Sequence, residues 1–388
     1  MFQPPVKEKR WVNIVFFIVT AGVGLVGTPF YLQAHGLSLF MALFTIFYAL
    51  ATGFSVTMGY HRLFAHVTYK AHPLLQFLYL FFGAAAFEQS ALKWASQHRD
   101  HHLYSDTERD PYSIQKGFWH AHIGWLTSWR YHPDFANVKD LQKSKMLMHQ
   151  HNYYVWWASI AGIITPVVIG AFFHQAGAAF ILAVCFRIAF VHHMTFCINS
   201  FCHFLGNRTY DLYSTARDHW LVALFTYGEG YHNFHHRFPS DYRNGIRWYH
   251  WDPSKWLISL MSFLGLATDL KRISSFRIVH ARIMAQKHLA YERVQEKLLP
   301  HHPKLEWFKQ IIDLKHEQVQ KALVRFEAAA NHYREVLQEI KTNRADAFQK
   351  VKISASEALK ESQTTFKKRY QRWLAYSVKK TLLKKMAA

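Results

Sequence analysis

The chain has 388 residues, 51% of them hydrophobic, and carries 46 Lys+Arg against 25 Asp+Glu for a formal charge of +21. Length alone allows two or three domains, but the apolar residues gather in long runs, which takes the chain out of the soluble class. Three cysteines without a C-x-x-C argue against a disulfide framework or a thiolate zinc site, and neither G-x-x-x-x-G-K-[ST] nor H-E-x-x-H occurs, which argues against a P-loop and a zincin protease.

In chain order, Lys7, Lys9 and Arg10 precede a first apolar run over about 11–32, closely followed by a second over 37–59. A second pair covers 153–173 and 176–202, and Cys185, Cys197 and Cys202 fall in or at the end of its last member. Each run is near the ~20 residues a helix needs to cross the hydrocarbon core. The connectors 33–36 and 174–175 carry no Lys or Arg, whereas Arg62, Lys70, Lys93 and Arg99 follow the second run and Arg208 and Arg217 the fourth. The positive-inside rule then places both termini on the cytoplasmic side. The first run is long and has no A-x-A site, so it reads as a retained span and not a cleaved signal. Residues 73–92 are also apolar but contain Glu88 and Gln89, and read as an amphipathic helix at the interface. Arg187, inside the fourth run, is expected to bond backbone or polar groups within the bundle.

Histidines dominate the polar chemistry. There are 27, and lone ones such as His35 or His174 read as loop residues. Three clusters differ: His61-Arg-Leu-Phe-Ala-His66, His98-Arg-Asp-His101-His102 and His232-Asn-Phe-His235-His236. On a helix, i, i+3 and i+4 share a face, so each H-x-x-H-H is expected to aim three imidazoles at one point. Neutral imidazole suits iron, zinc and copper. Eight such ligands exceed the needs of one ion and suit two. Zinc would give hydrolysis but usually takes three ligands and a water. Two redox metals beside a membrane point to oxygen chemistry on a lipid. Soluble di-iron bundles use Glu-x-x-His pairs; near the clusters only Glu229-Gly-Tyr-His232 has that spacing.

From about Lys271 the chain turns basic, with 26 Lys+Arg against 11 Asp+Glu over 271–388. Val319, Leu323, Phe326, Ala330, Tyr333, Leu337 and Ile340 alternate spacings of four and three, a heptad seam. Pro300 and Pro303 separate this seam from the helix before it. A long helix or a helical hairpin of coiled-coil type is expected, in the cytoplasm. Its expected partner is the anionic inner leaflet or an acidic electron-donor protein, and no nucleic-acid motif is present.

The segments Gly59-Tyr-His-Arg-Leu-Phe-Ala-His66, Trp94-Ala-Ser-Gln-His-Arg-Asp-His-His102 and Gly228-Glu-Gly-Tyr-His-Asn-Phe-His-His-Arg-Phe-Pro239 resemble the three histidine boxes of membrane fatty acid desaturases. The resemblance is nearest to the acyl-CoA Δ9 (stearoyl-CoA type) desaturases. Tyr104-Ser-Asp-Thr-Glu-Arg-Asp-Pro111, Gly117-Phe-Trp-His-Ala-His-Ile-Gly-Trp125 and Asn199-Ser-Phe-Cys-His203 extend it over about 10–275.

It implies an all-α integral membrane protein. Four transmembrane helices and a cytoplasmic helical cap holding a di-iron site would occupy 1–275, and a basic helical extension 276–388. It implies a ninth ligand, His203, and Asn199 acting through water. One division of the ligands gives His61, His66, His98 and His102 to one iron and His101, His203, His232, His235 and His236 to the other. Asp100, Asp106, Asp110 and Glu229 are candidates to accept the imidazoles' distal N–H. Ala49, Gly53 and Thr57 would line the methyl end of an acyl slot, with Glu88, Gln89 and Trp94 at its bend.

The implied reaction is oxygen-dependent insertion of a cis double bond, Δ9 by type, into a saturated acyl chain. Its two electrons would come from a ferredoxin, rubredoxin or cytochrome b5-like donor. The implied location is a multi-pass membrane site, the inner membrane if the source is bacterial. Acyl-CoA desaturases often carry Arg-Asp just before the second box, where this chain has Ser96 and Gln97. An acyl-CoA, a phospholipid acyl chain and an acyl carrier protein ester therefore all stay open, with Lys116 and Arg130 as phosphate contacts. A related lipid hydroxylase and a non-enzymatic heme- or zinc-binding membrane protein are the alternatives.

Overall fold

Among the described residues, four helices are long and apolar enough to cross a bilayer: Trp11–His35, Leu39–Ala65, Tyr154–Phe172 and Ala176–Phe204. The computed structural model describes residues 5–298, 303–343 and 348–377, so Pro300 lies outside the described residues. The second helix runs six residues beyond its apolar stretch. At 1.5 Å per residue its 27 residues reach about 40 Å, against a ~30 Å hydrocarbon core. Its last turns, which carry His61, can therefore project past the lipid.

The helices approach closely where side chains are small. The run Gly22-Val-Gly24-Leu-Val-Gly27 has the G-x-G-x-x-G spacing of a dinucleotide turn, but it lies within the first span and not at a strand-to-helix turn. Its middle glycine serves packing instead: a Cβ on Gly24 would lie 2.6 Å from the Cys185 carbonyl carbon and the Phe186 nitrogen of the fourth span. Arg187 is fully buried in the same region. Its guanidinium donates to the carbonyls of Ala183 (2.8 Å), Gly162 (2.7 Å) and Ala85 and to the Thr52 hydroxyl (3.3 Å). It thus ties the second, third and fourth spans to the chain after the short helix Pro73–Ala84, the internal bonding expected of an intramembrane charge.

Pro73–Ala84 has twelve residues and is too short to cross. It starts on a His72 cap with Pro73 in its first turn. It stops before Phe87 and Gln89, which both adopt left-handed backbone (φ 58° and 77°). Ser90 then caps the helix Ala91–Tyr104, its hydroxyl accepting from Lys93 N at 3.3 Å. Glu88 and Gln89 therefore sit on a reversal between helices, not within an interfacial helix as the sequence suggested. Two short antiparallel pairs complete this part: Val6–Lys7 with Trp129–Arg130, and Lys70–Ala71 with Ala267–Thr268.

The chain separates into two units, one of residues 1–208 with 213–272 and one of 209–212 with 273–388. The second unit holds the helices Ser275–Lys297, Leu305–Asn343 and Phe348–Ser377. Phe326 meets both Phe276 and Phe366, Trp373 meets His316, and Trp373 Nε1 donates to Gln286 Oε1 at 2.8 Å. These pairings make the first and third helices run alike and the middle one run back between them. The expected hairpin is thus joined by a third helix. Val319 and Leu323 of the seam are buried, and they pack with Ile283, Ala290, Val294, Phe308, Ile312 and Trp373 inside this unit.

Candidate metal centre

The second span ends in the first histidine cluster, the helix Ala91–Tyr104 carries the second, and the six-residue helix His232–Arg237 carries the third. All nine expected histidines converge in the first unit, in two groups. One is His61, His66, His98, His102 and His235; the other is His101, His203, His232 and His236. Within each group the ligand atoms lie within 4.8 Å of one another.

This corrects the division read from the sequence, which placed His235 in the second group. It also corrects the idea that each H-x-x-H-H aims at one point. Positions i and i+4 of a helix differ by about 40°, whereas i+3 lies about 60° to the other side. His98 and His102 therefore face one group while His101 turns to the other. His232 and His236 face the second group while His235 turns to the first. The two boxes are reciprocal, and each lends one imidazole to its neighbour's centre.

The donor chemistry fits a cation in each group. Nε2···Nε2 separations are 2.8 Å for His66–His98, 3.0 Å for His61–His235 and 2.9 Å for His102–His235. In the second group they are 3.1 Å for His203–His232, 3.0 Å for His232–His236 and 3.3 Å for His101–His236. A metal–nitrogen distance of about 2.1 Å gives an edge of about 3.0 Å when the ligands stand at right angles. Tetrahedral ligands would be farther apart, at about 3.4 Å. Three imidazoles donate Nδ1–H outward, which leaves an Nε2 lone pair facing inward. His61 donates to Glu229 Oε2 (2.9 Å), His101 to Asp110 Oδ1 (2.9 Å) and His203 to Thr215 Oγ1 (2.7 Å). Lone pairs brought this close repel unless a positive charge lies between them.

Burial, followed by mutual repulsion, holds His66, His98, His102, His232, His235 and His236 well below the ordinary histidine value. They stay neutral, as ligands must. Burial alone would raise Glu229, but His61 and Arg62 outweigh it and hold the carboxyl at about 2. Arg62 donates to Glu229 Oε1 at 2.9 Å and to Asp252 Oδ1 at 3.0 Å, and Asn244 Nδ2 donates to Glu229 Oε2 at 2.6 Å. Asp110 is likewise held low against its burial, by His101 and by the amides of Asp106 and Tyr112.

Of the four carboxylate candidates, Glu229 and Asp110 touch histidines of the two groups directly. Asp106 acts at one remove: its Oδ1 accepts from Thr215 Oγ1 at 2.6 Å, which leaves that hydroxyl to accept from His203. Asp100 faces elsewhere, bonded to Tyr131 and to Asn137 Nδ2 (2.9 Å), because its position on the helix turns it off the histidine face. Sequence reasoning missed Thr215, which no motif marks, and gave Arg62 only a topological meaning.

A cavity of about 390 Å³ runs along these histidines. His61, His98, His101 and His232 form part of its wall, with Asn199, Gly53, Thr57, Glu88, Gln89 and Trp94. Trp94 stacks on His98 with centroids 4.8 Å apart and donates Nε1–H to Glu88 Oε2 at 3.3 Å. Burial lifts Glu88 to about 7, against the opposing hydrogen bonds of Thr195 and Trp94. Ala49 is not on the wall, contrary to expectation: Tyr227 lines the cavity and its hydroxyl donates to the Ala49 carbonyl at 3.3 Å. Arg10 and Lys93 supply positive charge to the lining, whereas Lys116 pairs with Glu108 and Arg130 with Glu8. Ser96 faces away and donates to Asn137 Oδ1 at 2.8 Å.

The fatty acid desaturase sequence model matches residues 37–259, a stretch that includes every residue of both histidine groups. The chain belongs to the fatty acid desaturase family. It is 38% identical over 313 residues to acyl-CoA desaturase 1 of Saccharomyces cerevisiae, covering 79% of this chain and 59% of that protein. It is 41% identical over 260 residues to a probable acyl-CoA desaturase of Schizosaccharomyces pombe, covering 66% and 54%. It is 33% identical over 271 residues to the sn-1 stearoyl-lipid 9-desaturase of Anabaena variabilis, covering 68% and 94%. The chain thus spans somewhat over half the length of the two yeast relatives. The family match ends at residue 259, before the second unit's first helix, Ser275–Lys297.

Proposed function

We propose that this protein is an oxygen-dependent fatty acyl desaturase that introduces a cis double bond, Δ9 by type, into a saturated chain. The observation that carries this reading is that histidines of both all-imidazole groups line one largely apolar cavity. The residues present fit two iron ions: the group of five imidazoles exceeds tetrahedral zinc, and most Nε2···Nε2 edges in both groups lie near 3.0 Å, as for ligands at right angles, and below the tetrahedral value of about 3.4 Å. Bound iron would supply the activation of molecular oxygen needed to take hydrogen from an unactivated C–H bond.

The chain's own residues do the rest. Glu229, Asp110 and Thr215 fix the orientation of His61, His101 and His203. Asn199, one turn before His203 on the fourth span and on the cavity wall, takes the role of holding a water at the second group in this reading. Trp94 shields His98 and gives the acyl chain a flat wall beside the metals. Burial raises Glu88 to about 7, which lessens the charge it presents to methylenes at that wall. Arg10 and Lys93 suit an anionic headgroup, shared by acyl-CoA and phospholipid. The acyl-CoA substrate in the name of the budding-yeast relative and the stearoyl-lipid in that of the Anabaena relative both fit such a site.

We place both termini and the histidine clusters on the cytoplasmic side. Electrons come from a ferredoxin-, rubredoxin- or cytochrome b5-like donor. The basic helical unit, with a net charge of +15 over 271–388, serves that acidic donor or the anionic leaflet. The test is expression in a host lacking desaturases, with lipid analysis and metal content read together. An alkene and about two irons per chain are expected, and His98→Ala should lose the alkene but keep membrane insertion. An alcohol product would favour the hydroxylase reading, and heme or zinc in place of iron would overturn the metal assignment.

A further inference from the structure

We propose that Tyr227 sets the longest acyl chain this protein accepts, by closing the inner end of the cavity with its ring. The proposal deepens the reading of the cavity as an acyl site and rests on it. Along the second span, Thr57, Gly53 and Ala49 lie successively farther from His61, one turn at a time. Thr57 and Gly53 line the cavity and Ala49 does not. What intervenes is Tyr227. A Cβ added to Gly53 would collide with its ring, so the absent side chain at Gly53 is the seat the ring occupies. The hydroxyl reaches past Gly53 to the Ala49 carbonyl at 3.3 Å, and the ring lies edge-on to Phe54 with centroids 5.0 Å apart.

The ring is held from its backbone as well as its tip. Tyr227 has φ 56° and Gly228 φ 99°, a turn that carries the chain sharply out of the helix Trp220–Phe225. Ser254 Oγ donates to the Tyr227 carbonyl at 2.8 Å, and Gly228 N donates to the Ala223 carbonyl at 3.0 Å. Two residues on, Glu229 grips His61. One turn therefore fixes the stop relative to the metal ligands. His61 and Gly53 lie eight helical residues apart along the second span, and the chain beyond the reacting carbons must fit within that length. The other candidates, Ala49 and a bulky residue at Gly53, cannot play this part: the first is screened by the phenol and the second has no room.

The test compares full-length wild type, Tyr227→Ala and Tyr227→Phe on matched saturated substrates that lengthen two carbons at a time. Each extra methylene that can be buried should favour the longer chain roughly fourfold. Tyr227→Ala should therefore raise use of the first excluded substrate about tenfold or more relative to a short one. Tyr227→Phe keeps the ring and should keep the wild-type cut-off. An unchanged length profile in metal-loaded Tyr227→Ala would overturn the proposal, as would an equal shift in Tyr227→Phe. If Tyr227→Ala loses metal, Tyr227→Leu is read by the same criteria. Thermal shift with saturated acyl chains of increasing length reads the limit without turnover. If wild type binds such chains with a cut-off that Tyr227→Ala lifts but forms no alkene, the desaturase reading fails and the stop stands.

Discussion

At the scale of single residues, the two histidine groups are oriented by buried side chains outside them. Glu229 is an acceptor for His61 and a counter-charge for Arg62, both buried. Glu229→Gln keeps the shape but loses the charge that favours the His61 Nδ1–H donor. Metal affinity should fall about 10–100-fold, read by iron titration of the purified protein; wild-type affinity would mean that His61 needs no such partner. Glu88 behaves in the opposite sense. Its folded value of about 7 exceeds the ordinary 4.5, so the folded protein holds this proton more tightly than the unfolded chain does. Below pH 4.5 both states are neutral and nothing is lost. From there to pH 7 the folded state loses about 1.4 kcal/mol per pH unit, roughly 3 kcal/mol in all. Glu88→Gln should remove that dependence, so its stability advantage over wild type should grow with pH across this window. Parallel melting curves for the two proteins from pH 4.5 to 8 would contradict it.

At the scale of elements, the spans are positioned by contacts that hydropathy does not reveal. The first and fourth spans meet where Gly24 lies against the backbone of Cys185 and Phe186. Gly24→Val would force the helices apart, at about 1–3 kcal/mol or more for overpacking. Lower thermal stability and broadened size-exclusion profiles in detergent are expected, against an unchanged profile for Gly22→Ala, where a Cβ would meet nothing within 4 Å. The short histidine helices make a related point. Each presents i and i+4 to one group and i+3 to the other, and the assignment follows from the orientation of the helix between the two groups. Sequence spacing shows that the three rings lie near each other. It does not show on which side of a centre the helix axis passes.

For the molecule as a whole, the second unit has its own core, so the place of truncation matters. Ile283, Ala290 and Val294 of the helix Ser275–Lys297 are buried together with Phe308, Ile312 and Val319 of the next helix. A chain ending at residue 304 would leave that apolar face uncovered and should aggregate. A chain ending at Arg272 removes the face along with its cover. It should remain membrane-inserted and metal-loaded, because both histidine groups lie at or before His236. Metal content and monodispersity of the two truncations decide this. Equal behaviour of both would mean that the three helices do not form a unit.

The sequence by itself determined the four spans and the three histidine clusters; through the family resemblance it added His203, and it put Glu229 and Asp110 among four candidate carboxylates. Each of these is written locally, as a hydrophobic length, a helical spacing or a box whose residue types have one use. Only the tertiary structure decided that His235 belongs with His61, that Asp100 faces Tyr131 and that Thr215 bridges Asp106 to His203. It alone placed Tyr227 over Gly53. These relations join residues up to 178 positions apart, as Tyr227 and Ala49 are. They depend on how helices cross and how turns aim a side chain, and neither quantity is encoded in the periodicity of any one segment.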